Sequence, residues 1–179
     1  YTIALKFEEH SLVDQAIQVY ELAILKTKNS NYNYRLAGLY AIKQDVENMF
    51  LNYLIFTEKS NAYNNQILQL FNDYITEDPN SNYNQILKKI ILKKLQYSSN
   101  TFWNQTLSWV YIQEKEYKKA LTQQKSIFRR NQKSLQGIID IGFLAMESNQ
   151  YEISVSAFDF IIDKVQEPKI ILEAKLQTI

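Results

Sequence analysis

The stretch "LSWVYIQEKEYKKALTQQKSIF", Leu107 to Phe128, sets an apolar and a small residue side by side at Leu107-Ser108, an aromatic at Tyr111, and a second small residue at Ala120. The same order recurs along the chain. Ile141-Gly142, Ala145 and Ser154 repeat it with the same internal offsets, and Leu36-Ala37, Tyr40 and Met49 carry an earlier copy. Ile3-Ala4, Phe7 and Ala16 repeat it once more before that. In all four copies the last position lies nine residues after the third. Three residues before the last position stands a large apolar side chain (Val13, Val46, Tyr117, Tyr151), and four after it stands Tyr20, Tyr53, Gln124 or Phe158. The interval from Leu36 to Leu107 is twice the usual one, which leaves room for one degenerate copy, "ILQLFNDYITEDPNSNYNQILKKIILKKL".

The copies are spaced by roughly 34 residues, a period that marks a helical solenoid. The local pattern agrees, because Ala16, Tyr20, Ala23 and Leu107, Tyr111 are spaced for one face of a helix. Polar punctuation at "KTKNSN", "TEDPNSN", "YSSN" and "RRNQKS" separates two helices per repeat. The firmest break is Asp78-Pro79, since proline lacks an N–H and pushes the residue before it out of the helical region. The pattern predicts helix pairs at 1–27, 31–58, 61–97, 101–131 and 134–166, with a sixth first helix starting near Lys169. The small residues then acquire a purpose. Two antiparallel helices that cross at close range have no room for a large side chain at the crossing. Ala4, Ala37, Ser108 and Gly142 would occupy it on the first helices, and Ala16, Ala120 and Ser154 would receive them on the second, with Met49 as a flexible exception.

The pattern resembles the tetratricopeptide repeat, whose Leu-Gly, Tyr, Ala and Phe positions are best matched by Leu107-Ser108-Tyr111-Ala120 and Ile141-Gly142-Ala145-Ser154-Phe158. The closing proline is absent, and only one copy has Gly after the apolar residue. The wording of the repeats is similar to that of flavobacterial repeat proteins. The resemblance implies an all-α, right-handed α-solenoid, one superhelical domain over 1–179 with repeats at about 1–29, 30–60, 61–98, 99–132 and 133–167 and a partial one at 168–179. A HEAT-like array with longer repeats is the alternative solenoid.

Composition bounds the rest. The chain has 179 residues, 46% hydrophobic and 22% charged, so it can bury a core and is not disordered by composition. Three Gly and two Pro are too few for a turn-rich β sandwich. No Cys is present, which excludes disulfides and thiolate chemistry and leaves the compartment open. No apolar run approaches the roughly 18 residues of a membrane span. The opening "YTIALKFEEH" reads as the inside of a helix, so further chain is expected upstream.

Candidate catalytic groups are sparse. His10 is the one histidine, and nothing in the sequence marks orienting partners for it. There is no Gly-rich phosphate loop. Glu8-Glu9 and Asp159/Asp163 are carboxylate pairs, the second one helical turn apart, as on any solvated face. No enzyme activity, cofactor or metal is expected.

Charge is unevenly spread. Residues 86–133 hold eleven Lys or Arg and two acids, whereas 1–85 and 134–179 each carry a net charge of −4. The resemblance would place Lys89, Lys93, Lys118, Lys125 and Arg129 on the convex surface, with Lys118, Thr122, Lys125 and Arg129 in one outward stripe. Such a patch suits an acidic partner, an anionic membrane or nucleic acid. Nucleic acid fits poorly, because Lys dominates over Arg and no aromatic platform is interleaved. The bland alternative is a solvated face that pairs with acidic neighbours.

The resemblance also implies a concave groove lined by first helices, where relatives take peptides. Its ligand-facing spacing falls on Tyr34 and Arg35, on Asn72, on Phe102, Gln105 and Trp109, and on Ile139, Asp140, Phe143 and Met146. Most of these are apolar or aromatic, as interface anchors often are. The function expected is non-catalytic capture of a protein or peptide partner, with Trp109 and Phe143 as anchors and Arg35 or Asp140 setting polarity. The rival is a regulatory module of a larger enzyme or of a secretion or envelope assembly, docking acidic partners through the basic face of 86–133. A third reading is self-association through open repeat ends, since "PKIILEAKLQTI" has no obvious polar cap.

Overall fold

The computed structural model describes residues 2–132 and 134–164. Among them are ten α-helices and no strand. The helices are α1 (Thr2–Glu9), α2 (Val13–Thr27), α3 (Asn31–Ile42), α4 (Val46–Lys59), α5 (Asn64–Phe71), α6 (Asn82–Leu95), α7 (Thr101–Gln113), α8 (Tyr117–Asn131), α9 (Gln136–Glu147) and α10 (Tyr151–Lys164). A single 3-10 turn at Asn61–Tyr63 precedes α5. The expected partial repeat at 168–179 lies outside the described residues. Two compact units are formed. Among the described residues, one comprises those up to Ile75 together with Gln85–Ile90, and the other Thr76–Asn84 together with those from Ile91 to Lys164.

Four hairpins, α1–α2, α3–α4, α7–α8 and α9–α10, are packed antiparallel pairs joined by three-residue loops. The loops share one geometry. Ser11, Gln44, Lys115 and Asn149 all adopt positive φ, between 55° and 58°. Their N–H groups donate to Glu8, Ala41, Ile112 and Met146, and the next N–H in each loop donates to Phe7, Tyr40, Tyr111 and Ala145 at 2.8–2.9 Å. This is the Schellman closure, which satisfies carbonyls left over at a helix end. None of the four positions is glycine, so each left-handed residue costs roughly 1–2 kcal/mol that the hairpin packing must offset.

The closure explains the nine-residue spacing. The carbonyl at the third pattern position accepts from a residue five later, and that residue's own carbonyl accepts the N–H of the fourth pattern position four later: Leu12 from Ala16, Asp45 from Met49, Glu116 from Ala120, Gln150 from Ser154. The nine-residue spacing and the loop geometry are therefore the same fact.

The crossings are tight. Ser108 and Ala120 are both fully buried, and Ser108 Oγ donates to the Ala120 carbonyl at 3.3 Å. A Cβ placed on Gly142 would come within 2.9 Å of the buried Phe158 ring. One helical turn before the crossing, an amide pair links the two helices in both units. Asn33 Nδ2 donates to Asn52 Oδ1 at 2.7 Å, and at the equivalent place in the α7–α8 hairpin Asn104 Nδ2 donates to Gln123 Oε1 at 2.8 Å.

In the first unit, Ala4, Ala16, Ile17, Tyr20, Leu36 and Leu39 form one core cluster. In the second, Tyr117, Ala120, Leu121, Ile138, Ile141, Ala145, Ala157, Phe158 and Ile161 form another. Each fully buried large side chain contributes roughly 1.5–3 kcal/mol.

The expected pair at 61–97 departs from this plan. Its first helix, α5, has eight residues where α3, α7 and α9 have twelve or thirteen. Asn72 to Ser81 then separate α5 from α6 where the other hairpins use three residues. Asp78-Pro79 is the physical cause: Asp78 Oδ1 accepts from Asn80 N–H at 2.9 Å, closing an Asx turn that a helix cannot pass through. Asn72, expected on a first-helix face, is the exposed residue just past the end of α5.

Candidate functional site

A second feature repeats in register. The residue that caps α3, α7 and α9 reaches back to the opening turn of the preceding helix. Lys43 Nζ pairs with Asp14 Oδ1 at 2.6 Å. Asn84 Nδ2 donates to Glu114 Oε1 at 3.0 Å. The Tyr117 and Ser148 hydroxyls are 3.1 Å apart. Lys43, Glu114 and Ser148 are equivalent C-cap positions of α3, α7 and α9. One position thus carries three chemistries: an exposed ion pair, a buried amide–carboxylate bond and a hydroxyl pair. In the ion pair, the Asp14 hydrogen bond holds the Lys43 ammonium above the ordinary lysine value.

The first helices position the expected groove residues. In the second unit, Asp140, Phe143 and Met146 follow one another at three-residue steps on α9, so they share a face. Phe143 is 37% exposed and packs edge-on to Phe158, with ring centroids 5.3 Å apart. Asp140 is exposed and accepts a hydrogen bond from Gln136 Nε2 at 2.8 Å, and Met146 is half-buried. Trp109 on α7 is half-buried, with Gln105 exposed one turn earlier.

Phe102 is a correction. It stands two turns before Trp109, but it is only 4% exposed and packs edge-on against Trp103 at 5.0 Å. Its ring is core, in a first turn of α7 where Trp103 and Asn104 beside it are buried as well.

In the first unit, Arg35 is exposed, with its guanidinium 3.9 Å from Glu8. Tyr34 is half-buried and meets Tyr53 and Phe56 at 5.7 and 5.3 Å. Phe56, Tyr63 and Gln66, which join Tyr34 and Asn31 around a surface pocket, were not foreseen from the sequence. The repeat period gives no warning of them, because they stand where it lapses.

The basic stripe is also corrected. Lys118 and Arg129 are exposed on α8, and Lys89 and Lys93 are exposed on α6. Lys125 does not join them. Its ammonium donates to the backbone carbonyl and hydroxyl of Ser156 on α10 at 3.0 and 3.1 Å and sits 5.0 Å from the Phe160 ring centre. Burial, and after it the Arg129 charge, hold Lys125 below the ordinary lysine value, while Asp159 acts the other way. Lys119 pairs with Glu116 at 3.2 Å, Lys115 with Glu77 at 2.7 Å, and Arg130 donates to Asn104 Oδ1 at 3.0 Å. Much of the positive charge is thus committed inside the second unit.

Among the described residues no group of three or more His, Cys, Asp or Glu side chains could hold a metal ion. No described helix is long and apolar enough to cross a membrane. A scan against protein-family models finds no matching family, and a search of curated proteins finds no relative.

Proposed function

We propose that this chain is a tetratricopeptide-like right-handed α-solenoid that acts as a non-catalytic scaffold, holding a protein or peptide partner along the faces of its first helices. The observation that carries the reading is the repeated link between successive hairpins, Lys43 to Asp14, Glu114 to Asn84 and Ser148 to Tyr117. A link that recurs at one register position is what a one-dimensional helical stack propagates. The binding part of the reading is supported by the part-exposed aromatics on first helices: Tyr34, Trp109 and Phe143. Arg35 and Asp140 are the exposed charges on the same helices and would orient the partner.

The test is truncation of the anchors. Chains that co-purify with the full-length protein are identified and titrated against the parent, Trp109→Ala and Phe143→Ala. Each truncation is expected to weaken binding by about 2 kcal/mol, the scale of an aromatic hot spot, while Phe143→Ala leaves the denaturant midpoint close to that of the parent. Partners that bind both variants as tightly as the parent sink the groove. If their affinity instead falls with salt and with reversal of Lys89, Lys93, Lys118 and Arg129 to Glu, the basic face is the docking surface.

A further inference from the structure

We propose that the pocket bounded by Asn31, Tyr34, Phe56, Tyr63 and Gln66 takes a proline ring of an extended peptide segment. The inference rests on the scaffold reading and names the chemistry of its partner.

Four consecutive elements of the first unit build the pocket. Asn31 and Tyr34 come from the start of α3, Phe56 from the end of α4, Tyr63 from the 3-10 turn and Gln66 from the start of α5. Its volume is about 380 Å³. That lies within the roughly 300–1,000 Å³ of ligand clefts.

The walls are aromatic and meet at angles. Tyr34 and Phe56 have ring centroids 5.3 Å apart at 58°, and Phe56 and Tyr63 5.2 Å apart at 44°. Phe56 is buried, Tyr34 half-buried and Tyr63 48% exposed, so the floor is closed and the mouth is open. All five lining residues are uncharged. A charged group entering such a site would lose hydration without an opposite charge to replace it. The occupant is therefore a neutral apolar group.

The rim narrows the choice. The Asn31 and Gln66 carboxamides and the Tyr34 and Tyr63 hydroxyls can all donate hydrogen bonds. A polyproline segment is a matching string of acceptors, since its backbone has no internal hydrogen bonds and proline has no N–H. It is also stiff, so it loses little freedom on docking, and aromatic-lined grooves recognise such segments elsewhere. A leucine-bearing segment could fill the same volume, but it would lose backbone and rotamer freedom on docking.

The experiment is a titration of the full chain with a blocked oligoproline peptide, followed by amide shifts in nuclear magnetic resonance. A glycine–serine peptide, a leucine-bearing peptide of equal length and a neutral oligosaccharide are run in parallel. Oligoproline is expected to shift Asn31, Tyr63 and Gln66 and to bind tighter than the other three. Tyr63→Ala and Gln66→Ala should each weaken it, the first by about tenfold, while Thr122→Leu, at an exposed position on α8 outside the pocket, leaves it unchanged. Gln66 is exposed, so its variant still tests the pocket if Tyr63→Ala unfolds. Equal or tighter binding of the leucine peptide or the oligosaccharide overturns the proline assignment. Oligoproline binding that survives both pocket variants but is lost in Trp109→Ala overturns the pocket and leaves the scaffold reading standing. If neither the peptides nor any co-purifying chain binds, both readings fall.

Discussion

The link at the end of α3 and the link at the end of α7 occupy equivalent positions, yet they rest on opposite physics. At α3, Lys43 and Asp14 meet as side chains 45% and 69% exposed. At α7, Glu114 is buried and Asn84 fully so. Asn84 makes four side-chain hydrogen bonds: Oδ1 accepts from the Thr76 N–H and the Ser81 hydroxyl, and Nδ2 donates to the Thr76 carbonyl and Glu114. The difference teaches that register alone does not set energy. An ion pair in water gains little, because both ions were well solvated before it formed. A buried carboxylate requires its donors, because they stand in for the lost water.

Breaking the second link should have the largest effect. Asn84→Ala removes a donor from buried Glu114 and unties Thr76, and the expected loss is about 3 kcal/mol in a denaturant melt. A loss no greater than that of an exposed surface substitution would show that the two links are energetically alike and that burial is not what separates them.

The crossings come next. Ala120→Leu must push against Ser108 and should cost about 1–3 kcal/mol, whereas Leu at exposed Thr122 should be near neutral. Equal effects at the two positions would mean that α7 and α8 can separate without penalty.

Two glycines sharpen the contrast between the units. Gly142 and Gly38 both lie inside first helices, where alanine is intrinsically preferred. A Cβ on Gly38 meets nothing within 4 Å, and one on Gly142 meets Phe158 at 2.9 Å. Gly38→Ala is expected to stabilise by roughly 0.5–1 kcal/mol, and Gly142→Ala to destabilise. Thermal melts that shift in the same direction for both would remove the crossing as the reason for Gly142.

The smallest effect is expected at the exposed link. Lys43→Ala should leave the melt unchanged within error near neutral pH. Whatever the pair contributes is present below pH 10.5, the ordinary lysine value, because Asp14 raises the folded-state pKa above it. That contribution fades as pH rises through the raised value. A Lys43→Ala loss that grows with pH across this range would contradict the assignment.

Little of this energetic difference can be read from the residues themselves. The period, the helix pairs and the small residues at the crossings were legible in order, because each hairpin repeats one local rule. A Schellman closure joined to a four-residue helical step gives nine residues, and that number survives any change of side chain that keeps the backbone hydrogen bonds. Positive φ at Ser11, Gln44, Lys115 and Asn149 was hidden, since none is glycine. The groove candidates were legible only as a helix face. Phe102, Trp109 and Phe143 differ in exposure according to what packs over each turn, and spacing carries no information about that.

The sequence by itself determined the helical character of the described residues, the pairing of neighbouring helices and the break at Asp78-Pro79, because these follow from backbone geometry and from periodicity over a few neighbours. Only the tertiary structure decided which charges are committed and where space remains. Lys125 turned from an outward cation into a donor to Ser156 because α10 lies beside α8. Tyr34, Phe56 and Tyr63 became one wall because the α3–α4 hairpin sets Tyr34 against Phe56 and the 3-10 turn after α4 brings Tyr63 back onto Phe56. Burial and cavity shape depend on contacts between distant segments, and the order of residues records those contacts only through the fold.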